Sequence, residues 1–157
     1  MEDVPNAPLA DPHRAPLVGR GPELAELRTR FDVAAGGVPQ VVVIGGEAGI
    51  GKSRLVAELA EQVSGAARVV VGHCMELGPD GPPYAPFVAV LRTLVADLGA
   101  DRVAELAGPG RTDLAWLVPE LGPVAEPDPM GRGRLFEAMA TLVERGCADR
   151  PLVMVVE

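Results

Sequence analysis

The stretch that decides the fold is residues 41–55, which read VVVIGGEAGIGKSRL. Its first four residues form a β-branched run, which is typical of a strand buried on both faces of a parallel sheet. The middle is rich in glycine, and apolar side chains then recur at helical spacing, at Leu55, Leu59 and Val63. The sequence therefore predicts a strand over residues 41–44, a tight turn, and a helix over residues 52–64.

The turn itself fits the spacing G-x-x-x-x-G-K-[ST] in every fixed position. Its glycines can adopt positive φ and approach an oxyanion closely, and successive N–H groups then form an anion-binding nest. The following helix directs the positive end of its dipole at the same place. Lys52 supplies a mobile charge to the phosphates, and Ser53 offers a hydroxyl to Mg²⁺. The predicted phosphate-binding residues are Gly46, Glu47, Ala48, Gly49, Ile50, Gly51, Lys52 and Ser53.

Composition supports a requirement for an ammonium in this turn. Lys52 is the single lysine among 14 basic residues, and all the others are arginine. A planar guanidinium fork does not replace a compact ammonium in a tight loop. The alternative interpretation is a glycine-rich turn from strand to helix that binds nothing.

Charge and hydropathy argue against a nucleic-acid-binding, membrane-spanning or secreted protein. The net charge of −8 argues against a nucleic-acid-binding module, because phosphate neutralisation needs a positive face. No stretch approaches the roughly 20 apolar residues of a membrane helix. The acidic, proline-rich start lacks the apolar region of a secretory signal. We therefore expect a cytoplasmic protein with free thiols at Cys74 and Cys147, and no membrane partner.

The rest of the chain alternates strand and helix patterns. We predict strands over residues 68–71 and 152–156, with an irregular stretch over residues 108–131. Predicted helices cover residues 22–35, 86–98, 101–107 and 132–147, and residues 1–16 are predicted to be a disordered lead-in. This alternation is typical of an α/β protein with a mainly parallel sheet flanked by helices. Because a central parallel strand needs partners on both sides, we expect residues 17–157 to be the N-terminal part of a domain that is incomplete at the C-terminus.

The last predicted strand ends on a carboxylate, Glu157. An apolar strand that ends in an acid about a hundred residues after a phosphate loop is the Walker B pattern, in which the acid holds Mg²⁺. Aspartate is more usual at that position. The alternative is a surface glutamate at the end of a strand.

An ordered set of further motifs resembles one family. Residues 17–20 read LVGR and precede Glu23, Leu24 and Leu27. Residues 72–74 read GHC, with His73 where the family has arginine, and PYAPF follows over residues 83–87. Residues 134–136 (RLF) and 150–152 (RPL) complete the set. Together with residues 41–55, these motifs resemble the signal-transduction ATPases called STAND, in the AAA-like branch of P-loop NTPases, as found in large bacterial LuxR-type regulators.

That resemblance implies an ATP-driven switch that hydrolyses ATP slowly and uses Mg²⁺. It implies a catalytic role for Lys52 and Glu157 and metal binding by Ser53 and Glu157. It also implies a position near the adenine for Arg20. It implies self-association of the full-length ATP-bound form, and DNA binding only through a downstream domain outside these residues. ATPase activity is then expected of the full-length protein and not of residues 1–157 alone.

Two other functions remain open at this point: a P-loop small-molecule kinase and a non-catalytic nucleotide-binding scaffold. A Ras-type GTPase is disfavoured because its guanine-reading motif needs an asparagine and the only one is Asn6. An ABC transporter ATPase is disfavoured because no LSGGQ-like stretch occurs. Tyr84 and Phe87 are expected to anchor a loop and its helix, and Trp116 to lie in the core or an interface.

Overall fold

The computed structural model describes residues 17–73, 84–124 and 131–157. The predicted lead-in over residues 1–16 lies outside them, as does Cys74. The chain divides into two compact units, residues 1–67 and residues 68–157. The first contains helices α1 (Gly21–Ala35) and α2 (Lys52–Val63). The second contains strands β1 (Arg68–Gly72) and β2 (Leu152–Val156) and helices α3 (Ala85–Leu98), α4 (Ala100–Ala107), α5 (Arg111–Leu114) and α6 (Gly131–Gly146).

Both helices predicted in the first unit are present, each within one residue of its predicted ends. Helix α1 has a proline in its first turn, where a missing N–H costs nothing, and it buries Leu27 and Phe31. Helix α2 begins directly after Gly51 and buries Leu55, Ala57, Ala60 and Val63. The two helices contact each other.

The strand predicted over residues 41–44 is wrong for this structure. These residues belong to no strand ladder, and Val41 and Val43 are 94% and 89% exposed. A strand needs hydrogen-bonding partners, and the described residues of the first unit contain no second strand to supply them. The prediction of burial on both faces fails for the same reason.

The second unit is built on a parallel pair of strands. Arg68 lies opposite Leu152 and Gly72 opposite Val156, so the two strands are in step along their whole length. Both strands predicted here are confirmed. Burial of β2 is only partial, since Met154 and Val156 are 39% and 48% exposed. The described residues are thus helix-rich with a small parallel sheet, which is consistent with an α/β protein.

Helices α3 to α6 form a single apolar core with β1. The largest side chains enclosed in this unit are those of Leu91, Leu114, Leu142, Val70, Val90, Val103 and Val118. The described part of the predicted irregular stretch, residues 108–124, contributes to this core and is more ordered than expected. It forms α5 and two 3-10 turns, Gly108–Gly110 and Pro119–Leu121, because burying Leu114, Val118 and Leu121 stabilises short helical turns.

Helix α6 buries the apolar side chains Leu135, Met139 and Leu142. Phe136 belongs to the same apolar pattern of the sequence but is half exposed. Its ring packs edge-on against that of Tyr84, with the ring centroids 6.1 Å apart. The rings of Tyr84 and Trp116 pack in the same way, with their centroids also 6.1 Å apart. Trp116 is 57% exposed and so lies at the surface. Tyr84 and Phe87 pack against the core of this unit, and the loop that they were expected to anchor lies outside the described residues. Among the described helices, none combines the length and apolar character needed to cross a bilayer.

Candidate functional site

The glycine-rich loop before α2 has the backbone that its sequence predicts. Gly46, Gly49 and Gly51 have φ values of 152°, 79° and 94°. A Cβ added to Gly46 would lie 3.0 Å from Cγ2 of Ile50, so a side chain there meets both an unfavourable φ and a tight contact. Glycine at this position therefore allows the loop to fold closely over itself.

The side chain of Lys52 folds back onto the glycine-rich loop that precedes it. Its Nζ donates to the carbonyl oxygens of Gly46 and Glu47, both at 2.9 Å. An ammonium has three donors, and these contacts use two of them. Lys52 is also the first residue of α2, where backbone N–H groups without helical partners and the helix dipole favour an anion. The positive charge and the helix N-terminus therefore share one location.

The remaining loop residues are open to solvent. Glu47, Ala48 and Ile50 are exposed, and so is Ser53 in the first turn of α2. A serine there can present its hydroxyl to a hard cation such as Mg²⁺. The loop is thus accessible to a ligand from the solvent.

Arg20 connects the loop to the start of α1, and this link was not expected from the sequence. Its Nη2 donates to the carbonyl oxygen of Ile50 at 3.0 Å, and its Nη1 donates to Oε1 of Glu23 at 2.8 Å. The hydrogen bond from Arg20, with smaller help from the backbone, lowers the pKa of Glu23 below its ordinary value. The spacing of three between Arg20, directly before α1, and Glu23, in its first turn, is the signal that could have predicted their pairing.

The second unit places Glu157 at the carboxyl end of β2. Its backbone N–H donates to the carbonyl oxygen of Gly72 at 3.1 Å, which extends the ladder by one residue. Its Oε1 lies 3.5 Å from Nδ1 of His73, an ion pair only when the histidine is protonated. Sequence reasoning singled out both residues but did not pair them, because their proximity depends on the strand register.

The predicted site residues therefore fall in both units. In the first, hydrogen bonds join Arg20, Ile50, Gly46, Glu47 and Lys52 into one cluster, in which the Ile50 N–H donates to the Glu47 carbonyl oxygen at 3.4 Å. Glu157 lies in the second and is described there by itself. Its role as a metal-holding acid stays a prediction.

Comparison with protein families gives one assignment. A family model described as an AAA ATPase domain matches residues 16–157. The chain belongs to the AAA ATPase domain family. Comparison with curated proteins and with solved structures gave no match. This AAA domain is therefore a nucleotide-binding ATPase domain, as the P-loop motif predicted.

AAA ATPase domains generally bind ATP with Mg²⁺, and the residues of this chain fit both groups. Positive-φ glycines, the Lys52 ammonium and the start of α2 suit a chain of phosphates. Within the described residues, no three His, Cys, Asp or Glu side chains could hold a metal ion by themselves. Mg²⁺ that arrives with a nucleotide needs only one or two protein oxygens besides phosphate, and Ser53 can supply one.

Proposed function

We propose that this AAA domain binds Mg·ATP through residues 46–53 and acts as the switch of a bacterial signal-transduction ATPase. The single observation behind the proposed nucleotide site is the position of Lys52. Its ammonium is held over a loop of positive-φ glycines by two carbonyls, at the first residue of a helix. Such an arrangement concentrates positive charge and backbone donors where phosphates would lie.

Each loop residue then has a defined part. The backbone N–H groups of residues 46–53 would surround the phosphates, and Lys52 would exchange its two carbonyl acceptors for phosphate oxygens. Ser53 would offer its hydroxyl to the metal. The proposal that Glu157 is a metal-holding acid rests on its place in the sequence, directly after an apolar strand. Bound Mg·ATP supplies a phosphoanhydride bond whose hydrolysis resets the switch.

The finer assignment to the STAND type, in a LuxR-like transcriptional regulator, rests on the ordered motifs. These motifs run from LVGR at residues 17–20 to RPL at residues 150–152. The contact of Arg20 with the phosphate loop supports a functional connection between the first motif and the nucleotide site. Self-association in the ATP-bound form and DNA binding through another domain belong to this proposal.

Isothermal titration calorimetry of the full-length protein with Mg·ATP and Mg·ADP tests the nucleotide site. Lys52→Ala should abolish measurable binding, because it removes the charge that faces the phosphates. Arg102→Ala is a matched control, since it also removes one positive charge, from an exposed ion pair with Glu105 in the second unit. The control should bind as the wild type does. Equal affinity of Lys52→Ala and wild type would refute the phosphate site.

The rate of ATP hydrolysis distinguishes a switch from a scaffold and from a small-molecule kinase. A switch should hydrolyse ATP slowly without a second substrate, and binding should change its assembly state in size-exclusion chromatography. Nucleotide binding without any turnover would favour a scaffold. Phosphate transfer to an added small molecule would favour a kinase.

A further inference from the structure

Arg20 contacts both the phosphate loop and Glu23. It occupies the position just before α1, and its side chain is 31% exposed. One guanidinium nitrogen donates to the carbonyl oxygen of Ile50 at 3.0 Å, and another donates to the Glu23 carboxylate at 2.8 Å. The Ile50 contact spans 30 residues of sequence, so it ties the loop to a separate helix.

The geometry of a peptide unit gives this contact a consequence for the next residue. A trans peptide is planar, and its C=O and N–H point in opposite directions. When the carbonyl of Ile50 faces Arg20, the N–H of Gly51 must face away from Arg20. Gly51 has φ of 94° and immediately precedes α2, so its N–H belongs to the row of donors at the start of that helix.

We infer that Arg20 is a positioning residue, which holds the peptide between Ile50 and Gly51 so that the Gly51 N–H stays available to a nucleotide phosphate. This inference rests on the proposed function. Without the guanidinium, glycine at position 51 leaves this peptide free to turn over, because glycine tolerates both signs of φ. A reversed peptide presents a carbonyl oxygen to the phosphate in place of a donor.

Glu23 has the supporting part in this arrangement. Its carboxylate fixes the second nitrogen of Arg20 and offsets the charge of the guanidinium. Arg20 therefore faces a neutral carbonyl from within an ion pair, rather than acting as a free cation for phosphate. The ion pair also keeps the long arginine side chain in one conformation, which makes the contact with Ile50 more specific.

A different role for Arg20, contact with the adenine, follows from the family resemblance and predicts different binding data. A positioning residue affects every ligand that has a diphosphate, whatever its base. An adenine contact affects adenine nucleotides alone. Pyrophosphate, Mg·ADP and Mg·GDP therefore distinguish the two roles.

The test is calorimetry of these three ligands on the full-length protein, with Arg20→Ala and a control, Arg30→Ala. Arg30 lies in α1, which Arg20 directly precedes, and it pairs with Glu26 at the same 2.8 Å. Its other hydrogen bond goes to Gln40 at 3.4 Å, outside residues 46–53. Arg20→Ala should weaken Mg·ADP and pyrophosphate by the same factor, about tenfold or more, and leave the ADP-to-GDP affinity ratio unchanged. Arg30→Ala should bind all three as the wild type does.

Rescue and NMR data exclude a merely structural effect. Arg20→Lys retains a donor for the Ile50 carbonyl and should recover part of the affinity. In the ligand-free protein, Arg20→Ala should shift the amide signals of residues 49–52 while the melting temperature changes little. A loss confined to Mg·ADP with an altered base ratio, or no loss at all, would overturn the inference. Failure of the wild type to bind any of the three would overturn the proposed function itself, and the inference with it.

Discussion

Gly72 offers the sharpest test of how the second unit positions the end of its sheet. It is the last residue of β1, and its carbonyl accepts the backbone N–H of Glu157. A Cβ added there would overlap the carbonyl oxygen of Pro86 and lie 2.9 Å from the carbonyl carbon of that residue. Backbone of α3 cannot move aside as a flexible side chain can. Gly72→Ala must therefore push the end of β1 away from the first turn of α3.

The size of the effect follows from the distances. Carbon atoms normally approach to about 3.5–4.0 Å, so the strand and the helix must separate by roughly 1 Å. Overpacking of this kind costs about 1–3 kcal/mol. Replacing glycine by alanine also lowers the conformational entropy of the unfolded chain, which stabilises the folded protein by about 0.4–1 kcal/mol. The steric cost is larger, so we expect a net destabilisation of about 1–2 kcal/mol and a fall in Tm of roughly 5 °C.

Urea unfolding followed by circular dichroism measures this destabilisation. Gly133→Ala is the matched control, because it lies in α6 with open space around its Cβ and no positive φ. The control should be stabilised by about 0.4–1 kcal/mol. Amide NMR should also show the Glu157 N–H signal displaced in Gly72→Ala and unchanged in the control. A Gly72→Ala protein at least as stable as the wild type would refute the close approach of β1 and α3.

Two further predictions concern pairs of side chains. Because Arg20 lowers the pKa of Glu23, this pair should stabilise the fold above pH 4.5 and lose that contribution as the pH falls through the lowered pKa. Carboxyl NMR should find a higher pKa for Glu23 in Arg20→Ala than in the wild type, and an unchanged pKa would contradict the pairing. Tyr84→Ala should lower the free energy of unfolding by about 0.5–1.5 kcal/mol for each of the edge-on ring pairs that Tyr84 makes, and it should shift the fluorescence of Trp116 to the red. Phe136→Ala should leave the emission wavelength in place, because the Phe136 ring pairs with Tyr84 rather than with Trp116.

Local rules explain which parts of the fold the sequence predicts well. The turn from Gly51 into Lys52 depends on glycine conformation and on helix periodicity, which are properties of neighbouring residues. The phosphate-loop backbone and both helices of the first unit were therefore predictable. The family assignment agrees with the motif for the same reason, since the spacing of the loop residues is itself the signal.

Features that depend on distant partners were not predictable in this way. Whether residues 41–44 form a strand depends on a partner for their hydrogen bonds, not on their β-branched character alone. Phe136 follows the helical stripe, but its depth depends on which rings lie against it. The proximity of His73 and Glu157 depends on the register of two strands that are far apart in the sequence. The contact of Arg20 with Ile50 is equally non-local.

Lys52 gives the chain an unusual spectroscopic property. It is the single lysine in residues 1–157, and its Nζ lies between two carbonyls of the loop that it closes. Reductive methylation with ¹³C-formaldehyde labels amines and keeps their charge. Apart from the terminal amine, such labelling of residues 1–157 produces one methyl resonance, and it arises inside the candidate phosphate loop. Arrival of a phosphate can thus be followed at one nitrogen atom, without any change of sequence.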